Sequence, residues 1–206
     1  MSQLDDTEMT QLLAGPPTPD EETMRRLRAR LVRDADAAGI LDVGYRSIDT
    51  PVGSLLLAAT GQGLVRVAYA VEDHDRVLDQ LATKVSPRVL RAPGRLDAAA
   101  RELDEYFAGR RTSFDLPLDL RLSSGFRREV LARLPAIGYG STASYAAMAA
   151  AAGHPKAVRA AATACATNPL PVIVPCHRVI RSDGTFGRYV GGEAAKRTLL
   201  TLEGAA

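Results

Sequence analysis

The stretch from Ser144 to Ala166, SYAAMAAAAGHPKAVRAAATACA, decides the architecture of the C-terminal half of the chain. Its pattern predicts a short alanine-rich helix over Ser144–Ala152, a sharp turn at Gly153-His154-Pro155, and a second helix over Lys156–Ala166. Two short helices joined by a three-residue turn with Gly have the form of a helix-turn-helix. The small side chains allow close approach to a partner, either a groove of DNA or the core of the protein itself.

Upstream of this element, apolar runs separated by glycine turns predict a small antiparallel sheet between Leu41 and Ala70. A short strand near Ser113–Leu118 is expected to close this first unit, and a second unit begins around Ser123. The predicted strands and helices are Tyr45–Ile48, Ser54–Ala59, Leu64–Tyr69, Asp73–Val85, Asp97–Ala108 and Phe126–Leu134.

The chain is therefore expected to be an α+β protein in three parts, with an extension over residues 1–40, an α/β unit over 41–120 and a helical unit over 121–206. Residues 1–18 are polar, contain a Gly-Pro-rich breaker cluster, and are predicted to be flexible. A helix follows over Asp20–Ala38, with Met24, Leu27 and Leu31 at helical spacing. Whether this helix packs on the body or binds a partner is left open.

Composition excludes several classes of protein. Of the 206 residues, 46% are hydrophobic and 24% charged, so the chain can bury an ordinary core and is not predicted to be disordered. No secretory signal or membrane-spanning run is apparent, and a reducing cytoplasm, where free thiols persist, is expected. Residues 1–109 carry a net charge of −5 and residues 110–206 one of +7, which suits a polyanionic partner or reflects chance segregation of surface charge.

The densest chemistry lies in the run Pro175-Cys176-His177-Arg178-Val179. Pro175 fixes its own φ and restricts Val174 to extended geometry, so the backbone that carries Cys176 is stiff. A thiol attacks as its thiolate, and we expect its pKa to be lowered, with His177 accepting the proton directly or through one water. A carboxylate should orient the imidazole, with Asp183, Glu193 and Glu203 as the candidates.

Two further interpretations concern the remaining thiol and metal binding. Cys165 lies in the alanine-rich second helix and is expected to pack as a small apolar group. The spacing of Cys165, Cys176 and His177 fits no common zinc pattern, so no metal is expected.

Taken with Asn168-Pro169 upstream and Gly191-Gly192 downstream, the cysteine motif resembles that of the O6-alkylguanine-DNA alkyltransferases, also called methylated-DNA–protein-cysteine methyltransferases. The resemblance runs from about Tyr45 to Gly204. It implies a ribonuclease-H-like antiparallel-sheet unit followed by a helix-turn-helix unit that carries the active cysteine. It also implies a monomer that binds the minor groove of duplex DNA, with no membrane and no cofactor involved.

By that resemblance, the protein flips out a guanine alkylated at O6 and transfers the alkyl group irreversibly to Cys176, once per molecule. O4-alkylthymine is implied as a further substrate. Flipping costs a few kcal/mol in unstacking, which a side chain inserted into the gap partly offsets.

The resemblance assigns a role to each of several residues. Glu203 matches the carboxylate that orients His177, and Asn168 matches the residue that holds the active-site turn. Arg159 resembles an intercalating arginine and Tyr145 a tyrosine that touches the flipped base and crowds the target phosphate. Tyr189 resembles the phenol that stabilises guanine O6 as the alkyl group leaves. The contacts to substrate or DNA are completed by Ala160, Arg178 and Lys196.

The chain departs from the family pattern at three positions. Ala162 stands where a glycine is usual, and its methyl is expected to hinder approach to the minor groove. Leu131 replaces a tryptophan of the core. Val190 replaces a serine found in some relatives, which removes one hydrogen bond to the base.

Two other functions compete with alkyl transfer. A damage sensor that flips alkylguanine without accepting the group ranks second, because relatives with that role lack the cysteine present here as Cys176. A cysteine hydrolase ranks third, because nothing in the sequence indicates an oxyanion hole or a small-molecule cleft.

Overall fold

The structure is a computed structural model that describes residues 20–205. The predicted flexibility of residues 1–18 concerns a segment outside the described residues. Within the described range the chain forms an N-terminal sheet with helices on both faces and a C-terminal group of helices, which confirms the α+β class.

A four-stranded sheet in the order β3-β2-β1-β4 is the centre of the N-terminal unit. Strands β1 to β3 form two antiparallel hairpins, as the glycine turns predict, whereas β4 runs parallel to β1. The strands are β1 (Val43–Thr50), β2 (Gly53–Thr60), β3 (Gly63–Tyr69) and β4 (Val89–Arg91).

Strand β2 is buried on both faces because successive side chains of a strand point to opposite sides of the sheet. Leu56 and Ala58 pack toward α2 (His74–Lys84). Leu55 and Leu57 pack into a larger core that includes α3 (Asp97–Phe107) and much of the C-terminal unit. The two units therefore share one hydrophobic core.

The prediction of a strand near Ser113–Leu118 is wrong. Only a single bridge forms there, between Leu64 and Leu118, and the fourth strand of the sheet is β4. Pro117 is the physical reason, since it has no N–H to donate to a ladder. Its carbonyl accepts from Leu64 N at 2.8 Å, and Asp119 N then donates to Leu64 O at 2.9 Å, so the segment is tied to the sheet edge without extending it.

The C-terminal unit contains the predicted helix-turn-helix. Ser144 Oγ accepts from Ala147 N at 3.1 Å and caps the first of its helices, and Gly153 adopts φ 81° in the turn between them. A parallel pair of two-residue strands lies beside it, β5 (Ala143–Ser144) and β6 (Val179–Ile180). The helices are α4 (Gly125–Arg133), α5 (Tyr145–Ala151), α6 (Val158–Ala166) and α7 (Gly192–Leu202).

The sheet contacts the C-terminal unit directly at Pro169. Its carbonyl oxygen accepts from Val67 N at 2.8 Å and from Arg66 Nη1 at 3.2 Å. Arg66 is held in place by an ion pair with Glu72. Strand β3 thus fixes the segment that leads to Cys176.

The extension forms the predicted helix, α1 (Glu21–Ala37), with Asp20 as its N-cap. Its C-terminal end packs on the body, where Ala35 is buried against Leu41. Leu27 is 52% and Leu31 54% exposed, so this apolar stripe does not pack within the described part of the chain. No helix among residues 20–205 is long and apolar enough to span a membrane.

Gly63 gives a direct test of how segment 113–119 is docked. It has φ 134°, and a Cβ placed there would lie 2.2 Å from Pro117 O. Gly63→Ala should therefore lower the free energy of unfolding by about 2 kcal/mol or more, as followed by urea denaturation. The matched control is Gly61→Ala in the same turn, where nothing lies within 4 Å of the added methyl. A loss as small as that of the control would contradict the docked arrangement.

Candidate active site

Asn168 closes the loop that delivers Cys176. Its Oδ1 accepts from Leu170 N at 3.0 Å, while its Nδ2 donates to Val174 O at 2.8 Å and to Cys176 Sγ at 3.2 Å. The side chain is buried, so these bonds replace water that the amide would otherwise hold. Within the same loop Val172 has φ 71°, a strained conformation for a β-branched residue. One amide side chain thus holds a strained loop and the thiol together.

Cys176 begins a single 3-10 turn, Cys176–Arg178, and its side chain is buried. Burial raises the pKa of the thiol to about 11, against the opposing effects of the Asn168 hydrogen bond and the charge of Lys196. The expectation of a lowered thiol pKa is therefore wrong for this state. The resting group is a neutral thiol, which must lose its proton during attack.

His177 lies beside the thiol in sequence and is fully buried. Its Nε2 is 2.9 Å from Glu203 Oε1. Burial lowers the pKa of the imidazole below its ordinary value, outweighing the opposite effect of the carboxylate, so the ring is neutral at neutral pH. An ionised carboxylate only accepts hydrogen bonds, so Nε2 carries the proton and Nδ1 is the basic nitrogen.

Nδ1 of His177 is buried and has no hydrogen-bond partner among the described residues. A basic nitrogen without a partner can accept a proton. The arrangement therefore supplies a free basic nitrogen on the residue that follows Cys176, although no hydrogen bond joins this nitrogen to the sulfur.

Glu203 has the most hydrogen-bond donors of the three carboxylates considered from sequence. It accepts from Tyr106 Oη at 2.6 Å and from Arg178 Nε and Nη2 at 2.8 and 2.9 Å, in addition to His177. Burial raises its pKa, but the hydrogen bonds from His177 and Arg178 outweigh this and hold the pKa at about 2. Glu203 is therefore ionised at any pH near neutrality.

The other two carboxylates lie elsewhere. Asp183 accepts hydrogen bonds from Thr185 in an exposed turn, and Glu193 pairs with Arg197 on the surface of α7. Among the three carboxylates, the structure brings only Glu203 to the imidazole.

Arg178 and Lys196 do not lie where the sequence prediction puts them. Both are buried, Arg178 with its guanidinium on Glu203 and on Ile137 O, and Lys196 with Nζ donating to Val179 O. A buried, bonded cation cannot also contact a DNA phosphate, so the prediction that they contact DNA is corrected. Instead Arg178 neutralises Glu203, and the charge of Lys196 favours the thiolate of Cys176.

Tyr145 stands at the start of α5 and packs against Gly187. A Cβ at Gly187 would lie 2.1 Å from Tyr145 Oη, so only glycine permits this contact. Lys196 Nζ lies 5.9 Å from the centroid of the Tyr145 ring. Tyr145 is thus fixed between α7 and the segment that carries Tyr189.

Tyr189 is buried, with its ring centroid 6.4 Å from that of His177. Its hydroxyl is 2.9 Å from the hydroxyl of Tyr69, which comes from strand β3. Sequence reasoning missed Tyr69 and Tyr106. No local motif marks either residue, since each reaches the site across more than ninety residues of chain.

Arg159 and Ala160 are exposed on the first turn of α6, whereas Ala161, Ala164 and Cys165 on the opposite face are buried. Ala162 is half-buried against the core, so its methyl is only partly exposed beside Arg159 and Ala160. The hindrance of its methyl to the minor groove stays a prediction. This face of α6 is consequently a narrow surface of small side chains with one arginine.

The described groups support nucleophilic attack by a thiol, with a neutral imidazole as base. Among residues 20–205, no three His, Cys, Asp or Glu side chains converge in a way that would hold a metal ion. Cys165 is buried, as expected for a packing residue.

Two models of known protein families together match almost all of the chain that follows α1. The model for the ribonuclease-like domain of 6-O-methylguanine DNA methyltransferase matches residues 43–120, and the model for its DNA binding domain matches residues 125–205.

Individual relatives agree with the family models. The methylated-DNA–protein-cysteine methyltransferase of Mycobacterium tuberculosis is 40% identical over 161 residues, which covers 78% of this chain and 92% of the relative. The constitutive enzyme of Bacillus subtilis is 38% identical over 160 residues, covering 77% and 94%. The structure of M. tuberculosis OGT in complex with DNA superposes with a TM-score of 0.68 at 39% identity, over 79% of this chain and 93% of that chain.

Because Glu203 is ionised in the folded protein, the free energy of unfolding is expected to fall in acid. The Glu203 pKa of about 2 lies below the ordinary 4.5, so its stabilising effect is complete above 4.5 and is lost as the pH falls toward 2. Glu203→Gln should flatten the fall in unfolding free energy between pH 5 and 3. It should also cost about 3 kcal/mol at pH 7, since Arg178 keeps a buried charge without its partner.

Urea denaturation across this pH range measures both effects. The control is Glu193→Gln, which removes an exposed carboxylate at the other end of α7 and should change neither. An unchanged acid slope in Glu203→Gln would contradict the assignment of Glu203 as the buried ionised group.

Proposed function

Since this chain belongs to the 6-O-methylguanine DNA methyltransferase family and repairs DNA by alkyl transfer to a protein cysteine, we propose that Cys176 accepts the alkyl group. One observation carries this assignment. Cys176 Sγ is hydrogen-bonded to Asn168, and the next residue is a histidine whose orientation Glu203 fixes. The pKa of Cys165, the other cysteine, is raised more strongly than that of Cys176, and its side chain has no hydrogen bond to Asn168 or His177.

The proposed attack begins with removal of the thiol proton. His177 Nδ1 takes it, directly or through one water, while Glu203 stabilises the imidazolium that forms. The Asn168 amide and the positive charge of Lys196 stabilise the sulfur anion during this step. A buried base and a buried thiol avoid the need for a permanent thiolate.

Transfer follows at the alkyl carbon. The sulfur forms a C–S bond as the C–O6 bond breaks, and the electron pair of that bond passes to the purine. Tyr189 donates its hydroxyl proton to the leaving purine and is reprotonated by the imidazolium, so that the net proton movement is one proton from the thiol to guanine. The resulting thioether has no reverse path in this site, and each molecule acts once. O4-alkylthymine, with the same alkyl–oxygen bond, is a further proposed substrate.

DNA is the partner, and we place its minor groove on the exposed face of α6. Apart from Arg159, this surface presents small side chains around Ala160, which suits close approach to a narrow groove, and the net charge of +7 over residues 110–206 suits a polyanion. Arg159 would enter the base stack in place of a flipped alkylguanine, and Tyr145 would contact that base. The intercalated guanidinium offsets part of the cost of unstacking.

We further propose a monomer acting in a reducing compartment such as the cytoplasm. All of the groups assigned to the reaction come from one chain, and both cysteines are free thiols. The domain division at about residue 120 and the separate extension over residues 1–40 stay proposals as well.

The alkyl acceptor is identified by mass. Incubating the protein with duplex DNA that carries O6-methylguanine should add one methyl group to the peptide containing Cys176. Cys165→Ala should be methylated at the same rate as the parent protein, and Cys176→Ser not at all. Tight binding without any gain in mass would contradict the proposal and indicate a damage sensor, while turnover of small thioesters would indicate a hydrolase.

The role of Arg159 is separable from the chemistry. Arg159→Ala should slow transfer from duplex DNA by about tenfold or more, because the extrahelical base loses a side chain that replaces it in the stack. It should leave transfer from free O6-benzylguanine unchanged, since that substrate has no stack to leave. Arg101→Ala, an exposed arginine of α3, is the control. Equal slowing with both substrates would remove the base-flipping role.

A further inference from the structure

Two buried tyrosine hydroxyls meet beside the candidate site. Tyr69 Oη and Tyr189 Oη are 2.9 Å apart, and their rings pack edge to face with centroids 5.8 Å apart. Tyr69 belongs to strand β3 of the N-terminal unit, 120 residues before Tyr189. The pair is therefore a tertiary contact that joins the sheet to the site.

Tyr69 has little freedom to move. It is only 2% exposed, and its backbone N donates to Glu72 Oε1 at 2.9 Å. Gly191, two residues after Tyr189, lies against the Tyr69 ring. A Cβ at this position would be 2.6 Å from the ring, so only glycine leaves enough room for it. The Tyr69 hydroxyl is thus held at one point next to Tyr189.

Either hydroxyl of the pair can donate the hydrogen bond, and the two choices leave the Tyr189 proton in different places. Burial raises the pKa of both phenols, so each keeps its proton at neutral pH. A single hydrogen bond joins the two oxygens, and only one hydroxyl donates in it. If Tyr69 donates, the Tyr189 proton is left free for another acceptor, whereas in the reverse arrangement that proton is used in the bond to Tyr69.

We propose that Tyr69 is a positioning residue, whose hydroxyl donates to Tyr189 Oη and so directs the Tyr189 proton to the leaving purine. The inference rests on the proposed function and deepens it. As Tyr189 gives up its proton its oxygen gains negative charge, and the hydrogen bond from Tyr69 strengthens. Tyr69 itself neither transfers a proton nor contacts the alkyl group. The N-terminal sheet then contributes to the reaction through one hydroxyl.

The test compares two leaving groups in Tyr69→Phe, which removes the hydroxyl and keeps the ring. The rate of benzyl transfer to Cys176 is measured with O6-benzylguanine and with O6-benzyl-8-bromoguanine, whose purine is the more acidic leaving group. We expect slowing of about tenfold with the first and clearly less with the second, because an acidic purine needs less help from a donor. Tyr45→Phe, a half-buried tyrosine of β1 in the same sheet, should match the parent with both.

Equal slowing with the two purines would show a purely structural role and overturn the proposal, as would no slowing. A second comparison uses Tyr189→Phe. If Tyr69 acts through Tyr189, adding Tyr69→Phe to Tyr189→Phe should slow transfer little further, and a full multiplication of the two losses would overturn the proposal. If the parent protein transfers neither the benzyl group of the free base nor the methyl group of O6-methylguanine in duplex DNA to Cys176, the proposed function itself fails. If the parent protein is fully benzylated but Tyr69→Phe slows transfer equally from both purines, only the proposed role of Tyr69 is contradicted.

Discussion

The buried carboxylate of Glu203 is the interaction on which the rest of the site depends. It ends α7, binds the guanidinium of Arg178 and the imidazole of His177 in the cysteine turn, and accepts from Tyr106 in the N-terminal unit. Three separate parts of the chain therefore meet at one negative charge. An ion this deeply buried is tolerated only when it is fully bonded, and each donor that satisfies it is also a part that must be in place for the chemistry.

In the proposed reaction, this arrangement allows a buried cysteine to react with a bound substrate and to stay inert otherwise. Burial keeps the Cys176 thiol neutral, with a pKa of about 11, so it is a poor target for oxidants and solvent electrophiles. The base beside it is also neutral, because burial lowers the pKa of His177. In the proposed reaction, charge forms only when a substrate is present for the sulfur to attack, and Asn168, Lys196 and Glu203 are already positioned to stabilise it.

Local patterns predicted most of what depends on neighbouring residues. The hairpin strands, the helix-turn-helix and the Cys176-His177 pair follow from alternation, turn residues and adjacency. The choice of Glu203 needed the resemblance, because 26 residues separate it from His177. Arg178 and Lys196 were misjudged because charged side chains are usually exposed, and their burial depends on partners that only the folded chain supplies. The strand prediction at 113–118 was wrong because Pro117 cannot donate to a strand ladder. Tyr69 was missed because its local sequence is that of an ordinary apolar strand.

The tautomer of His177 decides whether Nδ1 can act as the base, since an ionised Glu203 at Nε2 leaves Nδ1 without a proton. Nitrogen-15 NMR of the histidine side chains, with His177 assigned by its loss in His177→Gln, reads this directly. At pH 7 we expect a neutral ring with a protonated Nε2 and an unprotonated Nδ1. A proton on Nδ1, in either the other neutral tautomer or an imidazolium, would contradict the role of Nδ1 as the base.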